Sequence, residues 1–145
     1  MIGELMLDTN AVSALVKGQA SRLAASLDKQ AFSISVISEA ELRFGLARRP
    51  VKPDLRRIVE QFLATVMVKP WDSDCAQRYA LLRANLETRG TPLAPMDLSI
   101  AAHALTENCT LVSADKAFGR VPGLTVFDWS VTATTRKPAK APKAS

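Results

Sequence analysis

Five acidic residues stand where apolar runs end or helices begin. They are Asp8 after "LML", Glu39 and Glu41 just past "AFSISVIS", Asp97 ahead of "IAAHAL", and Asp115 at the end of "TLVSAD". An acid that leaves a buried strand faces the crevice outside the carboxyl edge of an open α/β sheet, where such folds bind ligands. In a parallel sheet the strands share that edge, so acids far apart in sequence can converge. Converging carboxylates disfavour one another's ionised forms, and a divalent cation resolves the conflict. All-oxygen donors suit Mg²⁺ or Mn²⁺; Mg²⁺ takes one or two carboxylates, keeps several waters and then meets substrate phosphates. Such a centre hydrolyses a phosphodiester without a serine, cysteine or histidine nucleophile. One histidine and two distant cysteines, Cys75 and Cys109, offer no zinc site and read as buried small side chains.

Other residues have two readings each. Asp8 or Thr9 can simply cap the helix that follows. Arg43, Arg48 and Arg49, with Lys52, Arg56 and Arg57 around the single acid Asp54, form a basic patch. It suits phosphate contacts that position RNA without reading its sequence, or a solvated helix face. His103, six residues past Asp97 among small apolar side chains, reads as structural rather than as a general base. Trp71, Trp129, Phe44 and Tyr79 read as core or interface groups before base-stacking ones.

The elements that must position these groups are legible in outline. "ELMLD" is a strand, "TNAVSALVKG" a helix stopping at Gly18, and "ASRLAASLD" a second short helix. "AFSISVIS" alternates Phe32, Ile34 and Val36 like a half-buried strand, and Ser38 is placed to cap "EAELRFGLARR". Pro53 suits the first turn of "DLRRIVEQFLAT", "VMVK" is a strand, and Asp72 or Ser73 caps a helix ending at Gly90. A loop leads to the "IAAHAL" helix, packed through Ile100, Ala101, Ala104 and Leu105. "TLVSAD" and "LTVFDW" close the series, the latter as an edge strand. Strands alternating with helices imply a parallel-sheet α/β sandwich with right-handed crossovers. No glycine-rich phosphate loop occurs.

The 145 residues, 48% hydrophobic, suit one domain, expected over 1–130. The net charge of +5 is mostly a tail effect, since residues 132–145 hold four of the 19 basic side chains and none of the 14 acids. The Ala/Pro/Lys segment 131–145 is expected to be disordered. The opening "MIGELMLD" fits neither a signal peptide nor a membrane span, so a cytoplasmic location is expected.

"LDTNAVSAL", "SVISEAELRFGLAR" and "DLSIAAHALTENCTLVSADKAFGRVPGLTVFDW", in this order and spacing, resemble the PIN-domain ribonucleases of the VapC toxin group up to about Trp129. The resemblance implies a PIN-like three-layer sandwich with a central, mostly parallel sheet of four to five strands flanked by helices. It further implies a Mg²⁺- or Mn²⁺-dependent endoribonuclease that cuts loops of tRNA or ribosomal RNA. Its partners would be a second copy, giving a homodimer, and a small VapB-type antitoxin. That antitoxin would wrap an apolar groove and insert a basic side chain among the acids, in a heterotetramer or larger assembly. Carried over residue by residue, the metal and catalytic set is Asp8, Glu41, Asp97 and Asp115, supported by Asn10 and Ser113. Ala114 departs from the family's commoner Asn and bears on the support around Asp115. Glu39 competes with Glu41, but two residues apart on a helix they face different ways, and the family pattern favours Glu41. Two further readings stand beside this one: a PIN-fold module that binds RNA or antitoxin with little catalysis, and an acid-phosphorylated switch. The latter lacks support, because "DTNAV" has no second Asp where phosphatases of that kind carry DxDx[TV].

Overall fold

The computed structural model describes residues 3–48 and 50–131; Arg49 and the segment from 132 on, where the basic tail is expected, lie outside them. The described chain runs β1 (Leu5–Leu7), α1 (Thr9–Val16), α2 (Ser21–Leu27), β2 (Phe32–Ser35), α3 (Val36–Ala47) and α4 (Pro53–Thr65). It continues as β3 (Met67–Lys69), α5 (Ser73–Thr88), α6 (Pro95–Thr106), β4 (Thr110–Val112), a 3₁₀ turn (Lys116–Arg120) and β5 (Val126–Phe127). The five strands form one sheet in the order β3-β2-β1-β4-β5, and every pairing is parallel.

Strand alternation divides the apolar residues between two faces. Leu5 and Leu7 of β1, Ile34 of β2 and Val112 of β4 pack with Val12, Leu23, Leu42 and Leu63 from α1 to α4. Met6 and Leu111 point the other way, onto Leu82 and Leu86 of α5 and Leu98 and Ile100 of α6. Helices therefore cover both faces, and the three-layer sandwich expected from the sequence is present. Fully burying each such side chain contributes about 1.5–3 kcal/mol against the entropy of ordering it. The sequence predicts one packing face for α6, but Ile100 through Ala104 are all buried. Its alanines let it wedge between the sheet and α5.

Several boundaries follow from caps. Pro53 and Pro95 occupy the first turns of α4 and α6, where a missing N–H costs nothing. Asp72 caps α5 through the Cys75 N–H, and Gly90, at φ 73°, ends it. One expectation needs correction. Ser38 does not cap α3; that role falls to Ser35, whose hydroxyl accepts from the Ile37 N–H at 3.0 Å. The β-branched run through Val36 and Ile37 continues the strand pattern on paper, yet the cap turns the chain into a helix three residues earlier. Among the described residues no helix is long and apolar enough to cross a membrane.

The topology fixes where a site can form. The chain lays down β2 and β3 on one side of β1, then returns through α5 and α6 to place β4 on the other side. The strand order thus reverses between β1 and β4, and a crevice opens beyond their carboxyl ends.

Candidate active site

Asp8 follows β1 directly, and its backbone N–H still donates to Val112 O of β4 at 3.0 Å, which fixes it at the switch point. Its carboxylate is buried, and Oδ1 accepts from the Ala11 N–H at 2.7 Å. The capping role considered for Asp8 is therefore real, and it leaves the second oxygen free of that bond. Asp115 stands three residues past β4 and caps the 3₁₀ turn, Oδ1 accepting from the Ala117 N–H at 2.9 Å. Glu41 lies in the second turn of α3, Asp97 in the first turn of α6. Asp97 accepts no hydrogen bond among the described residues.

Asp8 and Asp97 both lie within electrostatic reach of Glu41 and Asp115. Burial pushes the Asp8 carboxyl above its ordinary range, and the charges of Asp115 and Glu41 push the same way; hydrogen bonds from Ser113 and Ala11 pull against them. Burial also raises Asp97, reinforced by Asp115, Glu41 and Asp8. Asp8 and Asp97 feel the neighbouring acids because β1, β4, α3 and α6 run to one edge of the sheet.

Supporting residues sort themselves clearly. Ser113 is buried and its hydroxyl accepts the Asp115 N–H at 3.0 Å, while its nearness pulls the Asp8 carboxyl back down against burial. Asn10 is exposed and makes no side-chain hydrogen bond among the described residues. Glu39 is drawn away from the cluster into an ion pair with Arg43 at 2.7 Å on the solvent side of α3. Arg43 thereby faces away from Glu41, at 200° around the helix by the 100° spacing of successive residues. Arg48, seven residues past Glu41 and so on its side of the helix, lies 5.6 Å from the Phe44 ring centre. Arg49 lies outside the described residues.

The sequence reading missed one contributor. The Thr9 hydroxyl donates to Glu41 Oε1 at 2.5 Å, linking the residue after Asp8 to α3 across 32 positions. The only signal was a hydroxyl beside the acid in "LDTN", where a cap is the ordinary explanation. Trp71 and Tyr79 are in edge-to-face contact, with ring centres 6.0 Å apart, and Trp129 packs against the β1–α4 core; neither tryptophan is a free stacking surface.

The donor set fits a hard, hydrated cation. The second oxygens of Glu41 and Asp115 and the whole carboxylate of Asp97 accept no protein hydrogen bond among the described residues. Among the described residues no group of three or more acid, histidine or cysteine side chains is gathered closely enough to hold an ion by itself. Carboxylate oxygens as the donors suit Mg²⁺ or Mn²⁺, which take one or two carboxylates and keep several waters. From Thr9 and Glu41 a groove of about 500 Å³ runs between α1, α3 and α4, walled by Leu42, Leu46, Val51 and Leu55 with Lys17 and Lys52 on its sides.

Comparison with known proteins identifies the family and the fold. The PIN domain family matches residues 5–124. The chain is 32% identical over 129 residues to ribonuclease VapC2 of Rickettsia felis, covering 86% of this chain and 96% of that one. It is 31% identical over 130 residues to the tRNA(fMet)-specific endonuclease VapC of Salmonella typhimurium, covering 87% and 98%. Among solved structures, DNA-bound VapBC from Salmonella typhimurium superposes with a TM-score of 0.78 at 30% identity, over 89% of this chain and 99% of that one.

Proposed function

The chain belongs to the PIN-domain family and, within it, to the VapC ribonucleases, and from that premise we propose that it is the metal-dependent endoribonuclease toxin of a VapBC-type pair. Its substrate is the phosphodiester backbone of an RNA loop, in tRNA or ribosomal RNA; the tRNA-specific names of two relatives favour tRNA. The observation that carries the reading is geometric: Asp8 is fixed at the topological switch point by its N–H to Val112, and the Thr9 hydroxyl beside it donates to Glu41 of α3; burial first, and then the neighbouring acids, raise Asp8 and Asp97.

Asp8, Glu41, Asp97 and Asp115 would hold the ion. A bound Mg²⁺ or Mn²⁺ supplies charge neutralisation for the phosphate and activation of water. Without a counter-charge the four acids would repel an RNA backbone, so they serve catalysis only as ligands. Ser113 and Thr9 fix the rotamers of Asp8 and Glu41, and the cap to Ala117 fixes Asp115. Arg48, on the Glu41 side of α3, contacts phosphates flanking the cut. The apolar groove beside Glu41 fits a VapB-type antitoxin segment, and similar proteins are solved as VapBC complexes. Exposed apolar side chains such as Phe44 on α3 and Leu81 on α5 are available to a homodimer interface, within a heterotetramer or larger complex.

Purified antitoxin-free protein, incubated with cellular tRNA and ribosomal RNA, is expected to produce new 5′ ends with Mn²⁺ or Mg²⁺ and none with chelator. Asp8→Asn is expected to leave the RNA intact. Intact RNA in every lane from folded protein would favour the alternative of a catalytically weak RNA- or antitoxin-binding module. A charge in the groove, Leu55→Asp, is expected to weaken antitoxin binding at least tenfold, measured by calorimetric titration, while cleavage by the free protein persists.

A further inference from the structure

The geometry points to His103 as a positioning residue: its ring locks the helix that carries Asp97 to the helix that carries Glu41. The inference rests on the carboxylate centre proposed above. His103 is wholly buried in α6, and its Nδ1 lies 2.7 Å from the Ser35 hydroxyl. Ser35 is the last residue of β2 and the cap of α3, its oxygen already accepting from the Ile37 N–H. A hydroxyl has one proton to give, and here the free direction is toward the ring. Nδ1 is then the acceptor and the ring proton sits on Nε2, which faces the Pro70 carbonyl without a well-formed hydrogen bond. Burial lowers the affinity of the ring for a second proton, so it stays in this neutral form.

The leverage is symmetrical. Six residues separate Ser35 from Glu41 along α3, and six separate His103 from Asp97 along α6. Each acid is therefore roughly 9 Å along a rigid helix from the same hydrogen bond. A rotation of either helix about that contact moves its carboxylate relative to the other. Apolar packing alone would resist such sliding weakly, because the side chains around His103 on α6 are mostly methyl groups. A directional bond between buried polar groups resists it strongly, and burying a ring nitrogen is costly unless the ring is so used. Trp71 adds a second tie to α6, its Nε1 donating to Ser99 O at 3.0 Å between Asp97 and His103.

The test is Mn²⁺ affinity of the folded, full chain, followed by electron paramagnetic resonance or calorimetry, with circular dichroism confirming the fold. Asp8→Asn is run first; if it binds Mn²⁺ as the parent does, the carboxylate centre itself fails and this inference with it. His103→Asn keeps an acceptor near the Nδ1 position and is expected to stay within about threefold of the parent. His103→Gln, which reaches the Nε2 side only, and His103→Leu are expected to weaken Mn²⁺ binding about tenfold, the scale seen when groups orienting metal ligands are removed. Ser35→Ala is expected to match them and to add nothing further when combined with His103→Gln. Parent-like affinity in folded His103→Gln and Ser35→Ala would overturn the proposal. So would equal losses in His103→Asn and His103→Gln, which would mark the ring as filler. If His103→Leu does not fold, the Asn, Gln and Ser35 variants decide.

Discussion

Asp97→Asn is expected to lower metal-dependent RNA cleavage by about 10³-fold while making the metal-free protein more stable. The first effect corresponds to roughly 4 kcal/mol of lost transition-state stabilisation, from a ligand whose charge is removed and whose shape is kept. The second follows from linkage. The folded-state pKa of Asp97 is raised from its ordinary 3.8, first by burial and then by Asp115, Glu41 and Asp8. The folded chain thus holds that proton more tightly than the unfolded chain does. The stability so contributed is fully present below the unfolded pKa and is lost as pH rises through the folded value. The macrodipole of α6 works in the opposite sense, favouring an anion in the first turn by about 0.3–1 kcal/mol, so the net gain is modest. Urea midpoints of parent and variant should therefore nearly coincide at about pH 4 and diverge by pH 7 in favour of the variant. Saturating Mn²⁺ should close or reverse the gap. A parent more stable than Asp97→Asn at neutral pH without metal would show that burial and the neighbouring acids together cost the Asp97 anion less than the helix macrodipole returns.

Phe118→Ala is expected to cost about 3–5 kcal/mol, a large share of the roughly 5–15 kcal/mol that holds a domain of this size. Phe118 is 1% exposed and packs in the core between the sheet and α6, yet it belongs to the 3₁₀ turn that Asp115 caps. The ring is the anchor of that turn. Its loss should also weaken Mn²⁺ binding in the fraction that remains folded, because among the described residues the Asp115 carboxylate is held by the Ala117 N–H of that turn, and its backbone N–H by the Ser113 hydroxyl. Denaturant unfolding and a metal titration on the same sample separate the two effects. Loss of stability with unchanged affinity would mean that the turn holds its shape without the ring.

The sequence spoke clearly wherever a local rule decided the outcome. An apolar triplet followed by an acid marked Asp8, and Pro53 and Gly90 announced a helix start and stop. It misled at Ser35, because two β-branched residues after the cap prolonged the strand pattern into what is helix. The 3₁₀ turn at Lys116–Arg120 carries no periodic signal over five residues, and the reading passed over it. What no window of sequence displays is the pairing of β1 with β4, 105 positions apart at Leu5 and Thr110. The contacts that depend on it, and those between helices such as Thr9 to Glu41, were invisible for the same reason. The family pattern favoured Glu41 over Glu39; the fold adds that Glu41 is bonded to Thr9, next to Asp8, while Glu39 is paired with Arg43.

The reversal of strand order at β1 also governs when the enzyme can exist. Asp8, Glu41 and Asp97 all precede β4, and Asp115 follows it. During synthesis the β3-β2-β1 half leaves the ribosome with β1 as a bare edge, and the central strand acquires its second neighbour only when residues 110–112 emerge. A chain shorter than that carries three of the acids and no crevice to hold them. On the proposed reading the centre cannot assemble for most of translation, and its last carboxylate emerges three residues after β4, with only the edge strand β5 still to come.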